Sequence, residues 1–273
     1  MKTAGVYSFN LFSRISLIIA SSISGIAFLW PFIFSANANQ IQLIFWIAMP
    51  FTLIVLLASL SNKSLDSKSI ALLGVLAALF AALRPLGAGA IGVEPMWFLL
   101  ILSSRVFGGS FGFLLGVISM LASAVLTGGI GPWLVYQCFA AGWIALGVTL
   151  IPSRLRKRTE LFALALYGVF ASAIFGVLMD LQFWPWSLGS GSELSYIPAG
   201  GVMENINRFF VFHFATSMAW DIPRAILTSV LILTLGPAVL SALRRAYSKA
   251  SFLAPIEFKS LQTSEHGIAR KAQ

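Results

Sequence analysis

The chain has 273 residues, of which 58% are hydrophobic and only 10% charged, and its mean hydropathy is +0.90. A soluble domain of this size cannot hide that much apolar surface, so a polytopic, all-α membrane protein is expected. The formal net charge of +9 raises nucleic acid as a partner only if membrane topology fails to explain the cations, and Cys138, the single cysteine, excludes intrachain disulfides and cysteine-rich metal sites.

A hydrocarbon core about 30 Å thick takes about 20 apolar residues per helix. Segments approaching that length recur near 15–34, 42–60, 70–84, 96–107, 110–127, 133–151, 160–182 and 208–240, the third and fourth being short. The start of the chain imitates a secretory signal, with Ala36-Asn37-Ala38 as its cleavage site. However, the run from Ile15 to Phe34 is longer than a usual signal core, so an uncleaved helix is expected. The third span, SIALLGVLAALFAALRP, is rich in small residues. Its Gly74/Ala78, Ala77/Ala81 and Ala78/Ala82 steps let another helix approach closely, either inside the bundle or on a separate membrane subunit.

The connection LRPLGAGAIGVEP follows, in which Gly87, Gly89 and Gly92 match a dinucleotide-binding glycine fingerprint letter for letter. That fingerprint works between a strand and a helix N-terminus, where backbone N–H groups hold a pyrophosphate. Here it follows an alanine-rich membrane helix that stops at Arg84-Pro85, so a nucleotide site is excluded. A flexible outer loop flanked by Arg84 and Glu94 is expected instead.

The fifth and sixth spans are joined by LTGGIGPWLVYQCFAAGW, where Trp133, Gln137 and Ala140 recur at helical spacing beside Tyr136. One face of that helix's outer end therefore offers a ring and an amide, for a wet pocket or for helix packing. Asp180 and Gln182 end the seventh span. The loop FWPWSLGSGSELSYIPAGGVMENIN, 183–207, carries Trp184, Trp186, Glu193, Tyr196, Glu204 and Asn205, and reads as an interfacial aromatic belt or as a lid over an outward-facing pocket. In the last span, Asp221 and Arg224 stand three apart and share a helix face, with Pro223 between them expected to kink the helix. Ionisable groups in such a span cost roughly 2.5–3.5 kcal/mol each. The pair is either a self-neutralising structural contact or the border of a substrate cavity, with His213 about two turns outward as a candidate wall.

With eight spans and both termini cytoplasmic, fifteen of the eighteen Lys and Arg fall on one side, leaving Arg84, Arg208 and Arg224. The positive-inside rule thus sets the orientation, and the basic balance reads as topology with no nucleic-acid partner. No G-x-x-x-x-G-K-[ST] loop occurs, so any ATP hydrolysis belongs to other subunits. A membrane lipid-modifying enzyme would need clustered His or paired carboxylates, yet the chain has two His, one of them His266 in the polar tail. A structural scaffold would require neither the glycine-rich loops nor the buried charges.

The stretches LGVLAALFAALRPLGAGAIGVEPMWFLLILSSRVFGGSFGFLLG, LTGGIGPWLVYQCFAAGWIALG and WDIPRAILTSVLILTLGPAVLSALRR together resemble the substrate-specific S component of energy-coupling factor (ECF) vitamin transporters. The likeness covers about 70 to 245 and is nearest the actinobacterial branch associated with cobalamin, although Val135 and Cys138 stand where Pro and Met would be expected. It implies a six-helix core at 63–246, preceded by a pair of extra helices at 1–62 and followed by a basic cytoplasmic tail at 247–273. The resemblance further implies a multi-pass bacterial cell-membrane protein that captures a vitamin from outside, with no cofactor or metal of its own. A transmembrane coupling subunit and two cytoplasmic ATPases would be its partners. Ala77, Ala78, Ala81 and Ala82 would meet the coupling subunit, and the loop 84–95 would gate the site. Candidate substrate contacts are Arg84, Glu94, Trp133, Tyr136, Gln137, Trp184, Trp186, Glu204, Asn205, Arg208, His213, Asp221 and Arg224.

Overall fold

The computed structural model describes residues 9–34, 38–60, 67–87, 90–188 and 191–250, and every regular element among them is helical. Ten α-helices follow in order: α1 (Leu11–Ile33), α2 (Ala38–Leu60), α3 (Ser67–Leu83), α4 (Met96–Phe107), α5 (Gly109–Thr127), α6 (Trp133–Gly147), α7 (Lys157–Ser187), α8 (Val202–Thr216), α9 (Met218–Thr234) and α10 (Gly236–Ala250). The expected gate residue Gly89, the Ala36-Asn37 part of the signal-like motif, and the basic residues Lys2, Lys63, Lys259, Arg270 and Lys271 lie outside the described residues.

Large apolar side chains such as Ile18, Leu79, Phe162, Leu166, Phe170 and Ile226 stand exposed around the bundle, as lipid-facing residues do. Among the described residues five helices are long and apolar enough to cross a membrane, and α9 with α10 makes a sixth if the pair, bent by 65°, counts as one span. The protein is an all-α, multi-pass membrane protein. The eight apolar segments are all helical, but they are not eight equal spans. The twelve residues of α4 rise only about 18 Å. Eleven of them are buried, because α3, α5, α6, α7, α9 and α10 all pack against this short helix. At the other extreme, the 31 residues of α7 reach about 46 Å, well beyond the roughly 30 Å of a hydrocarbon core.

Close packing depends on small residues. A Cβ on Gly116 of α5 would lie 2.8 Å from the Ala141 carbonyl of α6, so only glycine lets these two helices meet at that point. Between α4 and α5 the chain reverses on Gly108 alone, at φ +95°, a region that side-chain-bearing residues avoid.

The last span departs from expectation. Instead of one kinked helix over 208–240 it is three helices, broken at Ser217 and Leu235. Pro223 lies inside α9, and a proline clashes with the carbonyl four residues before it. The distortion therefore belongs near Ala219, next to the break at Ser217, rather than at the proline.

The two ends of the bundle differ in charge. At the basic end, Arg105 donates from Nε to Glu160 Oε1 (2.8 Å) and from its Nη atoms to the Ile151 and Pro152 carbonyls (2.9 and 2.8 Å). Arg244 Nη2 stands 2.8 Å from both oxygens of the same Glu160, so one carboxylate ties α4, α7 and α10 together. The opposite end, carrying the segments 90–95, 128–132 and 191–201, is called here the loop end.

Candidate functional site

At the loop end the break between α8 and α9 brings polar side chains into the bundle. Asp180 comes from α7, His213 from the last turn of α8, Ser217 from the break, and Asp221 and Arg224 from α9. The first and last of these are 8% and 5% exposed. His213 Nδ1 is 2.6 Å from Asp180 Oδ2, and the Ser217 hydroxyl donates to the same oxygen. On its other side the imidazole presents Nε2 to Asp221 Oδ2 at 3.9 Å. That oxygen has no hydrogen-bond partner among the described residues.

Arg224 joins this row to the loop. Its Nη1 donates to Asp221 Oδ1 (2.6 Å), and its Nε donates to Glu94 Oε2 (2.7 Å), on the segment leading into α4. Trp97 Nε1 donates to the same Glu94 oxygen at 2.6 Å. The guanidinium also lies 5.0 Å above the ring of Phe175, a cation–π contact in a desolvated setting. Asp180, His213, Asp221, Arg224 and Glu94 thus form one continuous chain of ionisable groups. Each lone charge would be expensive at this depth, and the pairing offsets that cost.

Two recesses meet at this chain. A cleft of about 420 Å³ is bordered by Asp180, Ser217, Trp220, Asp221 and Arg224, with Phe183 and Phe212 supplying apolar wall. A smaller one of about 240 Å³ is bordered by Arg84, Val93, Glu94, Thr127 and Trp220. Trp220 belongs to both, and the Arg224–Glu94 pair partitions them. The loop is seated on α9 through Gly92, at φ +67°, where a Cβ would come within 2.3 Å of the Trp220 carbonyl. Gly87 accepts from Ala90 N (3.0 Å) to close the turn before it. Arg84, just past α3, donates to Ser123 Oγ (2.8 Å) and to Gln137 Oε1 (3.0 Å), which pins the start of the loop to α5 and α6.

Of the residues singled out from sequence, Arg84, Glu94, Gln137, His213, Asp221 and Arg224 therefore converge. The others sit elsewhere. Trp133 is 44% exposed over Gly131. Tyr136 meets Phe28 of α1 edge-on at 4.9 Å, and Trp186 stacks on Trp30 of α1 at 5.3 Å. Trp184 is fully buried, donates to the Leu194 carbonyl (2.7 Å) and packs on Tyr196 and Phe209. Burial beneath these rings raises the Tyr196 phenol above its ordinary pKa. Asn205 holds the loop by exchanging two 3.0 Å bonds with the backbone of Ile197. Arg208 pairs with Glu204 (3.2 Å) and Glu193 (3.8 Å) at the surface. None of these seven side chains borders either recess, and Trp184, Trp186, Glu204, Asn205 and Arg208 instead hold the cap over 191–201.

Ser217, Trp97, Phe175 and Gly176 also belong to the site, as does Asp180, which in the sequence marks only the end of a span. Asp180 obeys the rule that found Asp221, an ionisable group in an apolar helix. The others carry no such signal. Among the described residues no three His, Cys, Asp or Glu side chains are arranged to hold a metal. No family model, no curated protein and no solved structure matches the chain.

Proposed function

We propose that this protein is the substrate-binding membrane subunit of an importer of the energy-coupling-factor type, and that the loop-end cleft receives a vitamin. The observation carrying this reading is the Arg224–Glu94 bond, which latches the segment 90–95 to α9 at the partition between the two recesses. A buried polar latch of this kind holds when its partners are paired and becomes costly when they part, so a ligand that replaces one partner can open or close the loop. The cleft combines apolar wall with a few placed polar groups, as small-molecule sites do, and its volume lies within the common range of about 300–1,000 Å³.

The chain acts as a binder and has no chemistry of its own in this reading. ATP hydrolysis belongs to two cytoplasmic ATPases and reaches the chain through a transmembrane coupling subunit. Both termini are cytoplasmic, the membrane is the bacterial cell membrane, and the loop end faces outward. Cobalamin, the vitamin suggested by the sequence resemblance, would enter only if the loop 84–95 swings away, because the cleft stands near the small end of its class.

Equilibrium binding of a vitamin panel, cobalamin included, to the purified full-length protein without ATP tests the proposal. At least one vitamin is expected to bind. Asp221→Asn and Arg224→Gln are expected to weaken that binding at least ten-fold while Arg208→Gln, in the cap, leaves it unchanged. A folded protein that binds no vitamin, or one whose binding ignores both cleft variants, overturns it.

A further inference from the structure

The basic end holds a second cleft, of about 560 Å³, between the first turn of α7 and α10. Its deepest lining residue, the buried Leu240, is apolar, as is the half-buried Leu161 beside it, whereas Pro237 and the basic Lys157, Arg244 and Arg245 stand exposed around its rim. Glu160 is the one carboxylate bordering it, and that group is already committed to Arg105 and Arg244. Among the described residues Lys157 and Arg245 have no carboxylate partner, and Arg245 bonds only to the Ser241 hydroxyl, at 2.7 Å. The cleft is therefore left with excess positive charge. The adjoining start of α7 adds to it, because Arg156 provides no side-chain cap for the free N–H groups there.

The setting of α10 narrows the class of anion. This helix turns 65° from α9 and lies back against α4. One of its faces is held to the protein by Leu240, Leu243 and Tyr247, the last 6.2 Å from the ring of Phe107. The opposite face brings Ser241, Arg245 and Ser248 to the cleft. An apolar floor beneath a cationic rim at the end of membrane helices matches a molecule that is apolar below and phosphorylated above. A free phosphate would use the rim and leave the floor empty.

We propose that this cleft binds the phosphate headgroup of an anionic membrane phospholipid. The site is independent of whatever the loop-end cleft receives. Its test uses the full-length protein in mixed micelles, with bound lipid counted by native mass spectrometry. The arms contain phosphatidylglycerol, phosphatidylcholine, or phosphatidylglycerol with excess inorganic phosphate. Phosphatidylglycerol is expected to be retained over phosphatidylcholine and to resist displacement by inorganic phosphate. Each basic side chain near an anionic headgroup contributes roughly a five-fold gain, so Lys157→Gln with Arg245→Gln is expected to weaken retention ~30-fold. These substitutions leave the Glu160 network intact. Ser248→Asp, which removes no ion pair and adds a carboxylate at the rim, is expected to weaken retention in the same direction, and it decides the matter if the double variant does not fold. Equal retention of both lipids, or undiminished retention by folded variants, overturns the site. Displacement by inorganic phosphate overturns the lipid assignment in favour of a soluble anion.

Discussion

Gly176 sets how closely α7 approaches the buried carboxylate of Asp221, since a Cβ there would lie 1.9 Å from Oδ2. Alanine at a helix interior normally stabilises relative to glycine by up to about 1 kcal/mol. Here Gly176→Ala must push Asp221 off Arg224, and overpacking of this kind costs about 1–3 kcal/mol. A lowered Tm in detergent is expected, and an unchanged or raised Tm would show that the carboxylate is not held against this helix. Trp97→Phe probes the other end of the row. It keeps an aromatic ring near Phe175, 4.5 Å away, but removes the N–H that Glu94 accepts. Hydrogen bonds to charged groups contribute about 1.5–3 kcal/mol, so backbone amides at 90–94 are expected to exchange hydrogen faster in this variant while those of α5 do not change. Residues of this site were legible where chemistry is costly: Asp221 and Arg224 stood out because lipid penalises charge, and Arg84 and Glu94 because they flank a glycine-rich loop. Trp97 and Gly176 were not legible, because a ring in an apolar run and a glycine in an apolar helix acquire meaning only once a partner is known. Trp184, Trp186 and Tyr136 present the opposite case, since the structure packs them on Phe209, Trp30 and Phe28, away from both recesses. Their type suggested a pocket wall, but residue type does not specify which surface a ring meets.

At the level of elements, the existence of the helices followed from the apolar runs, while their breaks did not. The eighth run looked continuous because Pro223 is read at its own position, although its steric demand falls one turn earlier. The small-residue helix α3 gives a sharper case. The alanines of its two Ala-Ala pairs do not share a face: Ala77 and Ala81 are 3% and 0% exposed within the bundle, whereas Ala78 and Ala82 are exposed. Ala77→Leu or Ala81→Leu is therefore expected to overpack the interior at a cost of about 1–3 kcal/mol. Ala78→Leu and Ala82→Leu are expected to shift stability by no more than about 0.5 kcal/mol, as surface changes do. Thermal melts of the four variants in one detergent check the division. A separate membrane subunit packing on α3 would meet its exposed face, which includes Gly74, Ala78 and Ala82, so the second pair of variants tests docking without disturbing the fold.

On the scale of the whole molecule, α1 belongs to the same packed unit as the helices that follow. Trp143 Nε1 donates to Ser21 Oγ at 3.0 Å, and Phe32 meets both Trp184 and Phe209 at about 6 Å. Trp30, 2% exposed between Trp186 and Tyr196, carries the cap over 191–201. Trp30→Ala is expected to cost about 3–5 kcal/mol and to free that loop for proteolysis, an outcome that a detachable N-terminal anchor would not produce. The distribution of charge points the same way as the packing. The three cations that escape the positive-inside pattern, Arg84, Arg208 and Arg224, all lie at the loop end, and each is bonded to protein groups there. The other fifteen carry the positive-inside bias on which the proposed orientation rests, and that orientation is open to direct test. The chain offers a clean way to check it, because Cys138 is fully buried and gives no background to thiol labelling. Glu193→Cys, at a side chain 98% exposed on the cap, is expected to react with a membrane-impermeant maleimide on intact cells. Ser153→Cys, exposed in the turn between α6 and α7, is expected to react only after the membrane is opened. The reverse pattern would turn the loop-end cleft toward the cytoplasm, and capture of a solute from outside through that cleft would then be untenable.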